Sequence, residues 1–230
     1  MSLDDGMESI SDLLRIIKMP ASGQNSPSYF HTLDKLKTTG HIRRMPKPNP
    51  RNKILSAGLA VFHERGFHGS GIQDVVNHAG VPKGSFYNHF KSKDALGLEV
   101  LECYWESNAE NRTELRDSEI PALTRIDRHL AAAGYDKNGC LIGNFSGELA
   151  GSDAFRPRLS KLYKTWMSDV AACILDGQKN GTIRNDDSAE NFAEFVIEGL
   201  EGAKLKAKVD RDPDVLERYR KSIRLLLENR

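Results

Sequence analysis

The chain has no uninterrupted apolar run of the roughly 18 residues that a membrane-spanning helix needs. Residues 1–17 carry acidic side chains where a secretory signal would place basic and then continuous apolar ones. These two absences predict a soluble protein that stays in the cytoplasm and has no membrane partner. With 230 residues, 39% of them hydrophobic, the chain is long enough to bury a sizeable core.

Cysteine is scarce, and its spacing is informative. The three cysteines, Cys103, Cys140 and Cys173, are an odd number spread far apart, which fits neither a disulfide framework nor a zinc site of the C-x2-C kind. The sequence also lacks G-x-S-x-G, H-E-x-x-H and a phosphate-binding glycine loop. We therefore expect reduced thiols, no metal or cofactor, and no catalytic residues of an enzyme.

Acidic residues are rare in one part of the chain. The net charge is only +1, yet residues 41–93 hold nine basic side chains and two acidic ones. That segment therefore carries +7, and the remainder carries −6. A basic segment joined to an acidic remainder is typical of a protein that holds phosphates with one domain and uses the other for a second task. A solvated basic face without a partner is the alternative.

Residues 1–48 are predicted to be a flexible extension. Residues 22–28 are turn-rich and the prolines at 46–50 prevent a helix, so that a short amphipathic helix fits only residues 10–17. The basic end of the extension, residues 41–47, could lie in a DNA minor groove as other N-terminal arms do. The alternatives are a disordered tail and an over-long predicted start, with Met45 as a candidate true start.

From Arg51 onward, apolar residues recur at helical spacing, and no stretch shows the alternation of a strand. The first helix is predicted to stop at Gly66. The second is predicted to begin at a Ser70 cap and to end at Gly80, where a left-handed backbone is easily reached. Pro82 suits the first turn of a third helix. Further helices are predicted over residues 93–116, 120–133, 141–149, 155–180, 188–206 and 213–228. The predicted fold class is all-α.

One segment carries a specific motif. Residues 67–96 read FHGSGIQDVVNHAGVPKGSFYNHFKSKDAL and resemble the DNA-binding signature of the TetR family of bacterial transcriptional regulators. The resemblance includes the turn at 79–81, the start of the recognition helix at 83–87 and the closing segment at 90–96. A turn, aromatic residues and basic residues at this spacing are far more specific than a lone glycine-rich string.

The resemblance implies a two-domain organisation. Residues 49–96 are expected to form a three-helix DNA-binding domain, with its helix-turn-helix over about 71–90. Residues 97–230 are expected to form a helical ligand-binding and dimerisation domain.

A recognition helix in the major groove needs small residues at its tip, and Gly84 meets that need. The resemblance and this geometry predict nine DNA-contacting residues: Ser70, Gln73, Lys83, Gly84, Ser85, Tyr87, Asn88, His89 and Lys93. Ser70 and Lys93 are placed at helix N-termini, where the dipole favours a phosphate. Phe86 and Phe90 are expected in the core, and packing is the alternative role for Tyr87.

The stretch 139–144, GCLIGN, followed by Glu148 and Leu149, resembles a subgroup of the same family that includes repressors responding to electrophiles or small unsaturated acids. Cys140 would begin a short helix close after Lys137, and both a helix N-terminus and a cation lower a thiol pKa. A thiolate there could be alkylated or oxidised. The alternative is that Cys140 packs as a small hydrophobe.

The ligand- or redox-sensing site is predicted to comprise five residues: Cys140, Asn144, Tyr104, Trp105 and Trp166. The aromatic members, together with Tyr163, lie on helices that line the cavity of related proteins. Core packing explains these aromatic residues equally well. Cys103 and Cys173 are expected in the core, and His129 is expected at the surface.

Together these features predict a homodimeric repressor. It would bind double-stranded operator DNA and leave it when a small-molecule inducer or a thiol modification changes the separation of its recognition helices. The helices at 188–206 and 213–228 carry enough apolar side chains for the dimer interface. Activation in place of repression is one alternative, and a helical protein-interaction adaptor without DNA binding is another.

Overall fold

The computed structural model describes residues 49–229. Three sequence predictions lie outside the described residues: the flexible extension at 1–48, the short helix at 10–17 and the minor-groove arm at 41–47.

Residues 49–229 form α-helices and no β-strand, which confirms the all-α fold class. The helices are α1 Pro50–Arg65, α2 Ile72–Ala79, α3 Lys83–Tyr87, α4 Lys93–Ser107, α5 Ala109–Glu114, α6 Ala122–Ala132, α7 Leu141–Leu149, α8 Arg156–Lys179, α9 Ala189–Asp210 and α10 Asp214–Leu227. An isolated antiparallel bridge joins Ile183 to Glu228. Over the same residues, none of the helices combines the length and the apolar character needed to span a bilayer.

The described residues divide into two compact units. The first unit contains the residues up to Val61 and the segment Gly71–Cys103. The second unit contains Phe62–Ser70 and the residues from Tyr104 onward. The domain boundaries that the sequence suggests, 49–96 and 97–230, remain predictions.

Two helices approach closely in the core of the first unit. A Cβ on Gly58 of α1 would lie only 3.0 Å from Leu96 Cδ2 of α4, so any side chain at residue 58 would require Leu96 to shift. The Arg51 guanidinium lies 5.2 Å from the centroid of the buried Phe90 ring and pairs with the Glu99 carboxylate.

The turn between α2 and α3 forms where the sequence predicts it. Gly80 has φ 64° and ψ 37°, a left-handed conformation that favours glycine. Pro82 follows with an extended backbone, φ −62° and ψ 147°, and precedes α3 rather than occupying its first turn. The chain therefore reverses within a few residues, as a helix-turn-helix requires.

The N-cap of α2 differs from the prediction by one residue. It is Gly71, whose extended backbone leads into the helix and whose N–H donates to the Asp74 carboxylate at 2.7 Å. Ser70 was predicted to hold this position. Its hydroxyl instead donates to the carbonyl oxygen of Gly66 at 2.7 Å.

The single helix predicted for residues 93–116 is divided into α4 and α5. Asn108 separates them with φ −105° and ψ 12°. The Asn108 side-chain amide donates to the Tyr104 carbonyl at 2.9 Å, and the Ser107 hydroxyl donates to the same carbonyl at 2.7 Å. Side chains that bond the carbonyl of the preceding turn compete with the helical ladder, and hydrophobic periodicity does not reveal this competition.

In the second unit, α8 packs against α6 and α9, and α10 packs against α6 and α9. The buried Arg125 pairs with Asp176 and donates to the Leu115 carbonyl at 2.9 Å. Helix α9 begins directly after Ser188, the first residue of the predicted helix, whose hydroxyl accepts from the Asn191 N–H at 3.1 Å. These contacts fix the helices that carry the cavity described below.

Candidate nucleic-acid interface and sensor cavity

Most of the predicted DNA-contacting residues present polar groups to solvent in the first unit. The exposed ones are Gln73, Lys83, Gly84, Tyr87 and Asn88, and the half-buried ones are Ser85, His89 and Lys93. The Gln73 amide also donates to the Asn77 side chain at 2.9 Å, which holds it along α2.

One side of helix α3 packs into the core, and the other side is exposed to solvent. Phe86 is fully buried and its ring lies 5.7 Å from that of the buried Phe90, which confirms both core predictions. Tyr87 touches Phe86 only edge-on, at 5.3 Å, and keeps 55% of its surface exposed. This exposure disfavours the packing alternative for Tyr87.

The backbone at the start of α3 is accessible. A Cβ placed on Gly84 would meet nothing within 4 Å, so the space beside the main chain there is open. The next helix, α4, is capped by Ser92, whose hydroxyl accepts from the Ala95 N–H at 3.1 Å. Sequence reasoning missed this cap and considered only Lys93, the first residue of the helix.

Ser70 does not share this exposed setting. It belongs to the second unit and only 4% of its surface is exposed. Because its hydroxyl donates to the Gly66 carbonyl, its burial disfavours a phosphate contact through the side chain.

The second unit contains a partly open cavity of about 60 Å³, here called the sensor cavity. Its lining residues come from six helices and the segments beside them: Tyr104, Trp105, Asn108, Asn111, Arg112, His129, Ala133, Cys140, Ile142, Trp166 and Lys204. Four of the five residues predicted for sensing are therefore brought together. The fifth, Asn144, is not among them.

Asn144 supports the loop beside the sensor cavity. Its side-chain amide donates to the Asn138 carbonyl at 2.9 Å, and its oxygen accepts from the Lys208 ammonium at 3.3 Å. These bonds hold the chain that leads into Cys140. Asn144 therefore supports the cavity wall and does not line the cavity itself.

Cys140 is the N-cap of α7, as predicted, but the predicted lowering of its thiol pKa is wrong. Only 5% of its surface is exposed, and burial raises the pKa of its thiol. The Lys204 ammonium lowers this pKa and the Glu201 carboxylate raises it. Lys137, the predicted activating cation, is exposed. The resting side chain is therefore a protonated thiol.

Cys103 and Cys173 lie in the core, as predicted. Burial raises the pKa of both thiols, that of Cys173 to about 11. Of the three cysteines, only Cys140 lines the sensor cavity.

His129 is buried, which corrects the prediction of a surface position. Only 7% of its surface is exposed, and Trp166 Nε1 donates to its Nε2 at 2.8 Å. Its Nδ1 lies 3.3 Å from the Asn111 carbonyl, to which it donates in the neutral ring. Burial lowers the pKa of His129 to about 4, so the imidazole is neutral near pH 7.

Two cations in the cavity wall were also missed from the sequence. The Arg112 guanidinium lies 3.5 Å from the Trp105 ring centroid and donates to the Trp105 carbonyl at 2.7 Å. The Lys204 ammonium lies 5.5 Å from the Trp166 ring centroid, and its side chain is only 12% exposed. Both cations thus lie against the aromatic rings that were predicted to shape a pocket.

Two protein-family models match this chain. Residues 54–100 match the family described as bacterial regulatory proteins, tetR family. Residues 123–223 match the family described as tetracyclin repressor-like, C-terminal domain. The two matches together cover more than half of the chain.

Individual relatives agree with these matches. The HTH-type transcriptional repressor DhaR of Mycobacterium sp. (strain GP1) is 38% identical over 179 residues, which cover 76% of this chain and 90% of DhaR. The transcriptional regulator AcuR of Cereibacter sphaeroides is 32% identical over 174 residues, which cover 72% of this chain and 80% of AcuR. The crystal structure of reduced NemR from E. coli gives a TM-score of 0.70 at 26% identity and covers 79% of this chain and 98% of NemR.

Proposed function

Because the chain belongs to the TetR family of bacterial regulatory proteins, we propose that it is a homodimeric repressor that a small molecule or a thiol modification releases from operator DNA. Its relatives DhaR and NemR are named transcriptional repressors, and AcuR is named a transcriptional regulator. The sensor cavity is the site at which the releasing signal would act.

The DNA-binding part of the proposal rests on one observation. The start of α3 is exposed, and it lies within the segment that matches the family. Lys83 and Asn88 are exposed, and Gly84 has no side chain to cover the backbone. Phe86 is buried and fixes the helix to the core. Cationic and amide side chains on such a helix suit phosphates and base edges in the major groove. In this proposal Lys83, Ser85 and Asn88 face the bases or nearby phosphates.

Dimerisation is proposed to use the last two helices. Four large apolar side chains on α9 and α10 are more than half exposed: Phe195, Leu205, Val209 and Leu225. Exposed apolar groups concentrated on neighbouring helices are typical of an interface. A two-fold dimer presents two recognition helices to two half-sites, which doubles the DNA contacts.

The size and the charge of the sensor cavity favour a small inducer. Its volume of about 60 Å³ is well below the roughly 300–1,000 Å³ of ligand pockets for drug-sized molecules. Arg112 and Lys204 contribute positive charge, and no lining residue is acidic. A small carboxylic acid or a small electrophilic carbonyl compound fits both the size and the charge, and Cys140 would form a bond with the latter.

A mobility-shift assay on DNA flanking the gene, at fixed salt, tests the proposal. The wild type should shift this DNA, and a small unsaturated aldehyde should abolish the shift. Cys140→Ser should bind the same DNA and ignore the aldehyde. Release of both the wild type and Cys140→Ser by acrylate would indicate a non-covalent inducer, because release would then not require the Cys140 thiol.

The same assay tests the DNA-binding part and the inducer-release part of the proposal separately. Binding that neither reagent affects would reject this sensor cavity as the inducer site while leaving a DNA-binding regulator. Absence of binding to any neighbouring DNA, by a protein that sediments as a folded dimer, would reject the proposal of an autoregulated operator.

A further inference from the structure

The Cys140 thiol lies beside a carboxylate that the predicted sensing site did not include. A Cβ placed on Gly143 would lie 2.4 Å from Glu201 Oε2 and 3.7 Å from Cys140 Cβ. The carboxylate of Glu201, on α9, is therefore packed against the first turn of α7, where Cys140 is the N-cap. Both the charge of Glu201 and a hydrogen bond with the thiol raise the pKa of Cys140.

Glu201 is placed to act on the thiol without occupying ligand space. Cys140 and Lys204 line the sensor cavity, and Glu201 does not. The Glu201 side chain is only 15% exposed, and its Oε1 accepts no hydrogen bond from the described residues. That oxygen forms an ion pair with Lys204 Nζ at 3.6 Å. A carboxylate oxygen with an unfilled acceptor site beside a thiol is placed to take the thiol proton.

We propose that Glu201 takes the thiol proton when Cys140 adds to a small α,β-unsaturated carbonyl compound in the sensor cavity. This inference rests on the proposed modification of Cys140. The bond between sulfur and the β-carbon forms as the S–H bond breaks, and the proton moves to the Glu201 carboxylate. The electron pair of the C=C bond moves to form a double bond between the α-carbon and the carbonyl carbon, and the π pair of the C=O bond moves onto oxygen, giving an enolate.

The second half of the reaction restores the carboxylate. The α-carbon of the enolate takes the proton from Glu201, so the product is the neutral thioether adduct and no further reactant is consumed. During the addition, Lys204 lies in the cavity wall with an ammonium group able to donate to the enolate oxygen. Glu201 thus acts in turn as base and acid on the reacting atoms.

A local base matters here because the thiol is buried. Burial disfavours the thiolate, so a thiol that had to lose its proton to bulk solvent first would react slowly near neutral pH. Transfer to an adjacent carboxylate avoids a free buried thiolate. The sensor can then react quickly while remaining a protonated thiol at rest.

A purely electrostatic role for Glu201 predicts the opposite result. Its negative charge raises the pKa of Cys140, so neutralising that charge would favour the thiolate and accelerate alkylation. Loss of a proton acceptor would instead slow alkylation and make it depend on hydroxide. The sign of the change therefore distinguishes a base from a neighbouring charge.

The experiment uses the full-length protein and methyl vinyl ketone as the probe. Alkylation of the peptide that contains Cys140 is followed by mass spectrometry between pH 6 and pH 9. Glu201→Gln should slow the reaction at pH 7 on the order of 10²-fold, as loss of a general base does, and its rate should rise about tenfold per pH unit. Glu201→Asp should recover part of the rate with the shallow pH profile of the wild type.

Glu198→Gln is the matched control, because Glu198 lies one turn earlier on α9 and is exposed. Its alkylation should match the wild type. Thermal unfolding and operator binding of each variant establish that the fold is retained. Alkylation of Glu201→Gln at the wild-type rate or faster would overturn the role of Glu201 alone. Failure of wild-type Cys140 to react would overturn the thiol-modification function and this inference together, while operator binding stands separately.

Discussion

The Lys83 ammonium and the Tyr87 hydroxyl are the exposed groups of α3 that are best suited to bond DNA phosphates or bases. Lys83→Ala and Tyr87→Ala should each weaken operator binding about 10- to 100-fold, corresponding to the roughly 1–3 kcal/mol of a good DNA contact. Titration in a mobility-shift or fluorescence anisotropy assay measures this loss.

Neither substitution should change the fold, because both side chains are exposed. Their thermal unfolding should match that of the wild type. Lys164→Ala removes an equally exposed cation from α8 and should leave DNA binding unchanged. If Lys83→Ala and Lys164→Ala bind operator with the same affinity, α3 is not the recognition helix.

His129 should make stability depend on pH below about 6.5. Burial lowers its pKa to about 4, whereas an unfolded histidine has a pKa of about 6.5. As pH falls, the unfolded state therefore binds the proton first. The free energy of unfolding should be highest above pH 6.5 and decline towards pH 4, with a loss from this group of about 2 kcal/mol at pH 5.

Urea unfolding at pH 7 and pH 5 measures this contribution. His129→Gln does not titrate and keeps an acceptor for Trp166 Nε1, so its free energy of unfolding should fall about 2 kcal/mol less between the two pH values than that of the wild type. An identical pH dependence in both proteins would contradict a neutral, buried His129.

At the scale of elements, two glycines of the helix-turn-helix should respond oppositely to alanine. Gly80 has a left-handed backbone, so Gly80→Ala should cost about 1–2 kcal/mol. Gly84 lies in α3 with open space around it, so Gly84→Ala should raise stability, by at most about 1 kcal/mol.

Gly84→Ala should nevertheless weaken operator binding, because its methyl group keeps the backbone of α3 away from the DNA. Thermal unfolding and a DNA titration on the same samples give both quantities. Should Gly84→Ala bind operator as tightly as the wild type, close approach of the backbone at residue 84 is not required.

The helices were predictable from periodicity, and their interruptions were not. The bounds of α7, Leu141–Leu149, agree with the prediction, whereas the break at Asn108 depends on side-chain bonds to the backbone. The burial of His129 could have been predicted, since it stands three residues after Ile126 and one before Leu130 on the buried face of α6.

The candidate site was predictable only in part. The motif identified the residues of α3 because they are consecutive in sequence. The sensor cavity draws Arg112, Lys204 and their neighbours from six helices, and no single helix encodes how these pack. The positive charge of the sensor cavity and the position of the Glu201 carboxylate could therefore be identified only from the structure.

At the scale of the whole molecule, the dimer should depend on the exposed apolar side chains of α9. Phe195, Leu205 and Val209 are 55%, 61% and 72% exposed, and their spacing places them on one side of the helix. Phe195→Glu should raise the dimer dissociation constant by at least about tenfold, since a charge would be buried at the interface. Analytical ultracentrifugation measures this change.

Operator binding by Phe195→Glu should weaken in parallel, because a single recognition helix contacts one half-site. Leu175→Glu is the comparison, since Leu175 is 42% exposed on α8, a helix outside the proposed interface. Dimerisation of Phe195→Glu with wild-type affinity would place the interface elsewhere.

The small size of the sensor cavity also affects how long a modified Cys140 persists. Cys140 is 5% exposed beside a space of about 60 Å³, which glutathione and repair enzymes are too large to enter. An adduct formed there could leave only by reversal of the addition, in which the sulfur–carbon bond breaks as the proton returns to the thiol. The time for which the operator stays unbound would then be set by the rate of this reversal rather than by the level of cellular thiols.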